Sequence, residues 1–370
     1  AYLRTYAKIE LMKLKKQRFA KIKNWVKTHK KTSITLFIIL VLLIGTSVWL
    51  AFFRQKPIET TAEPVKVEKP KEVKKYYASL SGLEVAAEGQ QNKPVTGVMI
   101  ENSPNARPQS GLKDAEIVYE AVAEAGITRF LALYQINAPE LIGPVRSVRE
   151  YYVDWAGSYD ASLAHVGGSS GALARMRDGN HKDIDQFFNA GSFWRSTDRY
   201  APHNVYTSLQ NLSEVNTSKG WSSSNFTGLK RKDTTSSESD QTAQNITMNF
   251  SSSQYNTNYA YNSDCNCYFR SQAGEDHLDR EKGQITPNVV IAMKVDMWLD
   301  SDNYHNQIQT IGNGEAIIFQ DSKAITATWQ KDSESSPLIF KDNQGQEIKL
   351  NRGQTWIGAI PNNSGAVSWQ

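Results

Sequence analysis

From Thr32 to Phe53 the chain reads TSITLFIILVLLIGTSVWLAFF, with no charged residue. About twenty consecutive apolar residues match a helix crossing a ~30 Å hydrocarbon core, so the pattern predicts a transmembrane helix over 32–53. A cleaved signal peptide has a shorter apolar region and a small-residue cleavage site, and an uncleaved anchor fits better. Residues 54–92 then mix Lys and Glu with Pro57, Pro64 and Pro70, the low-hydrophobicity composition of an extended stalk.

Beyond the stalk the polar and apolar positions alternate on a shorter scale. PVTGVMI and AEIVYEAVAEAGITRFLALYQI supply strand-like runs, the second with room for a short helix around Ala121 to Ala125. LIGPVRSVREYYVDWAGSYDASLAHV adds a short strand, an amphipathic helix around Val148 to Ala156 and a buried strand. Strands alternating with helices predict an α/β domain with a mixed sheet over 93–210. Residues 211–245, rich in Ser, Thr, Asn and charge, read as a polar insertion or linker. From Ile246 short runs such as ITMNFS, NVVIAMKVDMWL, AITATWQK and TWIGAIP are separated by Gly, Asn, Asp or Pro. They predict a mostly-β domain over 246–370, with a hairpin at KDNQGQEIKL. The expected architecture is an α/β N-terminal domain plus a mostly-β C-terminal domain, behind a single transmembrane helix and stalk.

Charge orients this plan. The basic segment 1–31 sets eleven lysines and arginines, Arg4 to Lys31, against the single acid Glu10. Positively charged flanks stay in the cytoplasm, so the bulk of the chain is expected outside a cell membrane. Leu14, Phe19, Ile22, Trp25 and Val26 among those lysines suit anionic inner-leaflet lipid, although a plain topology signal explains them too. Without this segment the formal charge of +4 becomes near-neutral or slightly acidic, and no nucleic-acid partner is expected. Cys265 and Cys267, spaced C-x-C, make half of any zinc site. Two strand positions on one face and a local oxidised pair are both open, and neither implies catalysis.

Candidate chemistry centres on HVGGSSGALARM, residues 165–176, where an apolar strand passes through glycines into a helical pattern at Ala172. Free N–H groups and the helix dipole favour an anion there, with Gly167 and Gly168 admitting the ligand and Ser169 donating. Arg129, Arg146 and Arg149 lie beside apolar runs, and their planar forks suit phosphate or carboxylate groups. Arg195, Arg199 and Asn204 follow in FWRSTDRYAPHN, with Arg199 and Asn204 further ligand-binding candidates. Glu101, Glu116, Glu120, Glu124 and Asp160 are the acids. On a helix Glu116, Glu120 and Glu124 would share a face and could pair internally with Arg129 and Arg146. Glu101, Glu120 and Glu124 are the candidate catalytic acids, and His165 and His203 candidate acid–base groups. His277 and Asp279 in GEDHLDRE could belong to an interdomain surface, with a solvated turn the favoured account. The expectation is a polar pocket bordered by His165 and Ser169, containing Arg129 and Arg146, that admits an anion. No metal-ligand spacing, Walker loop, dinucleotide fingerprint or G-x-S-x-G elbow stands out.

The stretches PVTGVMIENSPNARPQSGL, DAEIVYEAVAEAGITRFLALYQ, IGPVRSVREYYVDWA, YDASLAHVGGSSGA, RYAPHN, HLDREKGQITPNVVI, GNGEAIIFQDSKAITATWQK and GQTWIGAIP resemble the DUF3048, or YerB-like, family of bacterial extracytoplasmic envelope proteins. They run in the expected order over most of residues 93–362. The resemblance implies an α/β domain followed by a β domain in the cell envelope, with no settled activity or cofactor. Typical members carry a lipid-modified cysteine, which this chain does not offer near its apolar span. A looser similarity, to the LytR-CpsA-Psr wall-polymer transferases, rests on the strand, arginine and glycine order. Three functions follow as expectations: binding of an anionic cell-wall polymer or peptidoglycan, cleavage of the glycan strand, or transfer of a pyrophosphate-linked polymer with a divalent metal offsetting charge.

Overall fold

The computed structural model describes residues 2–53, 74–233 and 242–370, and the chain divides into two units, Ala1–Glu72 and Val73–Gln370. The first holds helices α1 (Tyr2–Thr28) and α2 (Lys30–Phe53). Among the described residues one helix is long and apolar enough to cross a bilayer, Lys30–Leu50. Within it Thr46 Oγ1 donates to Leu42 O at 2.9 Å and Ser47 Oγ to Leu43 O at 2.6 Å. A hydroxyl bonded to a carbonyl of its own helix needs no partner from the surroundings.

In the second unit the runs rich in Val, Ile and Tyr pair into two large sheets. In chain order their strands are β1 (Thr96–Glu101), β2 (Ile117–Val122), β3 (Thr128–Tyr134), β4 (Ser162–His165), β5 (Lys182–Asp185), β6 (Asn245–Asn249), β7 (Thr257–Asn262) and β8 (Cys267–Gln272). There follow β9 (Glu275–Asp276), β10 (Val289–Val295), β11 (Gly312–Gln320), β12 (Lys323–Lys331), β13 (Ile339–Lys341), β14 (Thr355–Pro361) and β15 (Ala366–Trp369). The ten-stranded sheet runs β13-β12-β11-β10-β14-β2-β3-β1-β4-β5, and the five-stranded one β9-β8-β7-β6-β15.

The long sheet joins what the sequence reading divides. β14 lies parallel between β10 and β2, so that Ile357 faces Ile291 on one side and Tyr119 on the other. TWIGAIP is buried throughout, as expected of a strand covered on both faces, and such a run needs a neighbour on each edge. β10 supplies one and β2 the other, so the α/β and β regions form one sheet. Alternate side chains then serve two cores. On one face Met99, Tyr119, Leu131 and Ile291 pack with Tyr151, Tyr152 and Trp155 of helix α3 (Glu150–Gly157). On the other, Val98, Val118, Phe130 and Trp356 meet Ile246, Met248, Tyr259 and Tyr268 of the smaller sheet.

Three expectations change. Residues 121–125 form no helix: β2 continues to Val122, and Ala125 (φ 52°) with Gly126 (φ 74°) turns the chain into β3. Part of the predicted stalk belongs to the fold, since Tyr76–Tyr77 pairs with Glu84–Val85 and Leu80 is buried; residues 54–73 lie outside the described residues. Part of the predicted insertion does too. Helix α5 (Leu209–Ser218) buries Leu212 and Val215, and Leu229 joins the core, whereas 234–241 lie outside the described residues. A few apolar residues at helical spacing anchor a segment whose composition is otherwise polar. Cys265 and Cys267 form a disulfide, their Cα atoms 5.2 Å apart at the entry to β8.

Candidate functional site

The structure places the three candidate catalytic acids in three separate groups. At the end of β1, the Glu101 carboxylate is buried and surrounded by donors. His203 Nδ1 lies 2.9 Å from Oε2, Ser103 Oγ donates to Oε1 at 3.0 Å, and Arg146 Nε is 3.6 Å away. Backbone bonds bring these elements together: Glu101 N donates to Pro144 O and Arg146 N to Met99 O. The Arg146 side chain is 29% exposed and that of His203 21%, against 6% for Glu101. Ser103 Oγ also lies 3.3 Å from His203 Nδ1. A serine relay needs the acid on one ring nitrogen and the serine on the other; here both use Nδ1, so the trio is not arranged as such a relay. Next to it Arg107 donates to Asn102 Oδ1 and O at 3.1 and 2.9 Å and stacks over Tyr255.

A second group surrounds Glu124. Arg149 Nε and Arg129 Nη2 both reach its carboxylate, the latter at 3.2 Å, and Arg129 Nη1 donates to Ser147 O at 2.8 Å. Burial opposes the charge on Glu124, but the Arg149 hydrogen bond and the two guanidinium charges more than offset it and hold the carboxyl below its usual range. Arg129 and Arg149 are buried and occupied by this acid. They do not form the expected clamp with Arg146, which pairs with Glu101 instead.

Glu120 belongs to a third group, between the sheets. Its carboxylate meets Arg270 Nη2 at 2.7 Å, Trp356 Nε1 at 3.1 Å and Thr128 Oγ1 at 3.0 Å. Arg270 also donates to His277 Nδ1, which must therefore be the acceptor nitrogen, while Nε2 faces Gln109 Oε1 at 2.9 Å. Burial and the Arg270 charge push the His277 pKa well below its ordinary value. The solvated turn expected at His277 and Asp279 is thus buried: Arg280 N bonds to Gln109 O and carries the segment across the first region. Nothing in the spacing of Glu120 and Arg270 signals their pairing, because it depends on how two sheets face each other.

The glycine turn is built for packing. His165 is buried, with Nδ1 2.9 Å from Gly167 O and Nε2 2.9 Å from Asp183 Oδ1, and it latches the turn. Val148 N donates to Gly167 O and Ser169 N to Val148 O, so 146–149 runs alongside 166–169. A Cβ on Gly168 would stand 2.7 Å from Val148 Cγ1, and Gly167 has φ +59°. Ser169 caps helix α4 (Ser170–Met176), accepting from Ala172 N at 3.4 Å. Arg199 is bonded to Asn105 O and Pro108 O, Asn204 Oδ1 accepts from Arg195 at 2.8 Å, and Asp160 pairs with Lys182 at 2.9 Å. The pocket expected to unite His165, Ser169, Arg129 and Arg146 is replaced by these separate pairings.

Comparisons with known proteins follow the same span. Residues 80–222 match the family described as Protein of unknown function (DUF3048) N-terminal domain, and 246–357 its C-terminal domain. A Bacillus subtilis (strain 168) protein named "Putative lipoprotein YerB" is 32% identical over 297 residues, 79% of this chain and 88% of that protein. The chain belongs to the DUF3048 family. A crystal structure of the YerB protein from Bacillus subtilis superposes with a TM-score of 0.71 at 28% identity, covering 79% of this chain and 99% of that one. For a DUF3048 protein the matched regions meet at the β14–β2 ladder, so the family's two parts share a sheet here.

Proposed function

We propose that the chain is a single-pass membrane protein of the cell envelope, with α1 in the cytoplasm and residues 74–370 outside, where it binds peptidoglycan or an anionic wall polymer without cleaving it. The basic segment before α2 supports the orientation. The Cys265–Cys267 pair supports an oxidising compartment, and a relative carries a lipoprotein name.

The observation that carries binding over catalysis is the occupancy of the acids. Glycan cleavage needs a protonated carboxyl facing the scissile oxygen, yet Glu120 and Glu124 are buried against arginines that bond to them, and Glu101 is buried with its oxygens facing Ser103 and His203. A pyrophosphate clamp needs free guanidinium groups, and Arg129 and Arg149 are held by Glu124. Arg146 and His203 remain partly exposed above Glu101 and can offer donors to an acidic group of a wall polymer.

The test incubates the full chain in detergent micelles with sacculi, with and without their attached polyphosphate, and follows sedimentation and the mass spectrum of the soluble products. Co-sedimentation without products is expected. Arg146→Ala should weaken it roughly tenfold, about 1.4 kcal/mol, with the melting temperature nearly unchanged. Released muropeptides or transferred polymer would overturn the reading.

A further inference from the structure

A cavity of about 370 Å³ in the second unit is lined by Arg107 from the first matched region and by Glu275 and Asp276 from the second. Among the described residues Arg107 forms no ion pair. Its Nε and Nη2 donate to Asn102 Oδ1, Asn102 O and Gln254 O at 3.1, 2.9 and 2.9 Å, Tyr255 covers one face of the guanidinium, and Nη1 bonds to none of the described residues. Burial and the neighbouring Arg270 charge work against its protonation, and Glu120, an acid that counters them, is itself bonded to Arg270. Charges held partly out of water are normally paired, because an unpaired one costs the fold. The missing counter-ion is left for a ligand to supply.

The acids narrow the class. Glu275 and Asp276 are exposed, and among the described residues neither pairs with a cation; Asp276 Oδ1 accepts from Gln284 Nε2 at 3.1 Å. They line the same cavity as Arg107 without pairing with it, so opposite charges stand apart around one space. The buried polar residues of the lining are engaged elsewhere. His277 accepts from Arg270 and faces Gln109 Oε1 at 2.9 Å, while Gln272 Oε1 accepts from Arg270 at 3.1 Å and its Nε2 donates to Gln254 O at 3.4 Å. Pro104, Pro108 and Leu278 add short apolar walls. The volume lies at the small end of ligand sites, which start at about 300 Å³. A polyanion would meet the two acids and a simple cation would meet Arg107, whereas a compact ligand carrying one charge of each sign satisfies both.

We propose that this cavity binds a small zwitterion of amino-acid or dipeptide size, its carboxylate on Arg107 and its ammonium on Glu275 and Asp276. Neither Arg146 nor His203 lines the cavity, so the site stands independently of the wall-binding reading. Calorimetry on the full chain in micelles tests it with alanyl-alanine, its C-terminal amide and its N-acetyl form. The L,L and D,D isomers separate a protein-derived source from a wall-derived one. The free dipeptide should bind in at least one isomer, the amide about tenfold more weakly through loss of the Arg107 contact, and the acetyl form several-fold more weakly. The Arg107→Gln chain should bind the free dipeptide about tenfold more weakly than the unaltered chain and no longer tell it from the amide. Because Arg107 also braces the turn after β1, the double variant Glu275→Gln with Asp276→Asn supplies a second test at exposed positions. With its melting temperature unchanged, it should bind the free dipeptide and the acetyl form alike. Failure of both isomers to bind at millimolar concentration, capped forms that bind the unaltered chain as tightly as the free dipeptide, or a folded variant that still tells its capped form from the free one would each overturn the inference.

Discussion

Replacing Arg270 by methionine removes the cation from a pair enclosed between the two sheets. Arg270 Nη2 and Glu120 Oε2 are 2.7 Å apart with both side chains 0% exposed, and the guanidinium lies 4.5 Å from the Trp356 ring centroid. Burial opposes its charge, but Glu120 more than offsets this and keeps Arg270 protonated. Charge centres about 4 Å apart attract by ~4 kcal/mol at an effective dielectric of about 20. Removing one partner of a buried pair costs about 3–5 kcal/mol, because the other is left without compensation. Methionine fills much of the vacated volume, so the loss reports mainly the stranded Glu120 carboxylate. Urea denaturation of the full chain in micelles, followed by intrinsic fluorescence, should show a lower midpoint and an unchanged slope. The double variant Glu120→Leu with Arg270→Met should lose far less than the two single losses added. A loss under about 1 kcal/mol for Arg270→Met, or simple additivity in the double variant, would refute the reasoning.

Burial raises the Glu116 pKa to about 7, despite the N–H groups of Gln135, Ile136 and Asn137 bonding to its carboxylate. A carboxyl that protonates more readily when folded stabilises the fold fully below about pH 4.5, and this contribution is lost as pH rises to about 7. The change is on the order of 3 kcal/mol at ~1.36 kcal/mol per unit, so melting temperatures measured across that window should slope less in Glu116→Gln; an identical slope would count against it. Gly168→Ala should cost about 1–3 kcal/mol through overlap with Val148, whereas Gly191→Ala, with nothing within 4 Å of the added carbon, should be near neutral in thermal melts. Alkylation of protein extracted from membranes should label neither Cys265 nor Cys267 until a reductant is added; labelling of both beforehand would argue for a cytosolic location.

Local signals identified elements well where periodicity and end chemistry agreed. The helix expected over 148–156 forms at Glu150–Gly157, with an acid in its first turn, and Ser169 begins α4 by capping it. The hairpin at Asn343–Gly345 closes through Asp342 and Gln346, with Gly345 at φ +76°. Around Glu116–Glu124 the pattern misled, because acids four residues apart share a side of a strand as well as of a helix. Of the candidate site, the glycine turn at 167–168 leading into a helix was legible as an apolar run ending in glycines. The partner chosen by each arginine was not. Arg146 finds Glu101 while Arg129 and Arg149 find Glu124, and Arg270, unremarked in its strand, is the cation of the central pair. Those choices follow from strand order and sheet packing, which one chain's periodicity does not encode.

Strand order also bears on binding. Thr355 of β14 pairs with Ile117 of β2, so the sheet that carries β1 and Glu101 is completed by residues near the carboxyl end of the chain. A ligand held at Arg146 and His203 would therefore rest on a sheet assembled from both matched regions, and would favour the state in which they are joined by the free energy of its own binding.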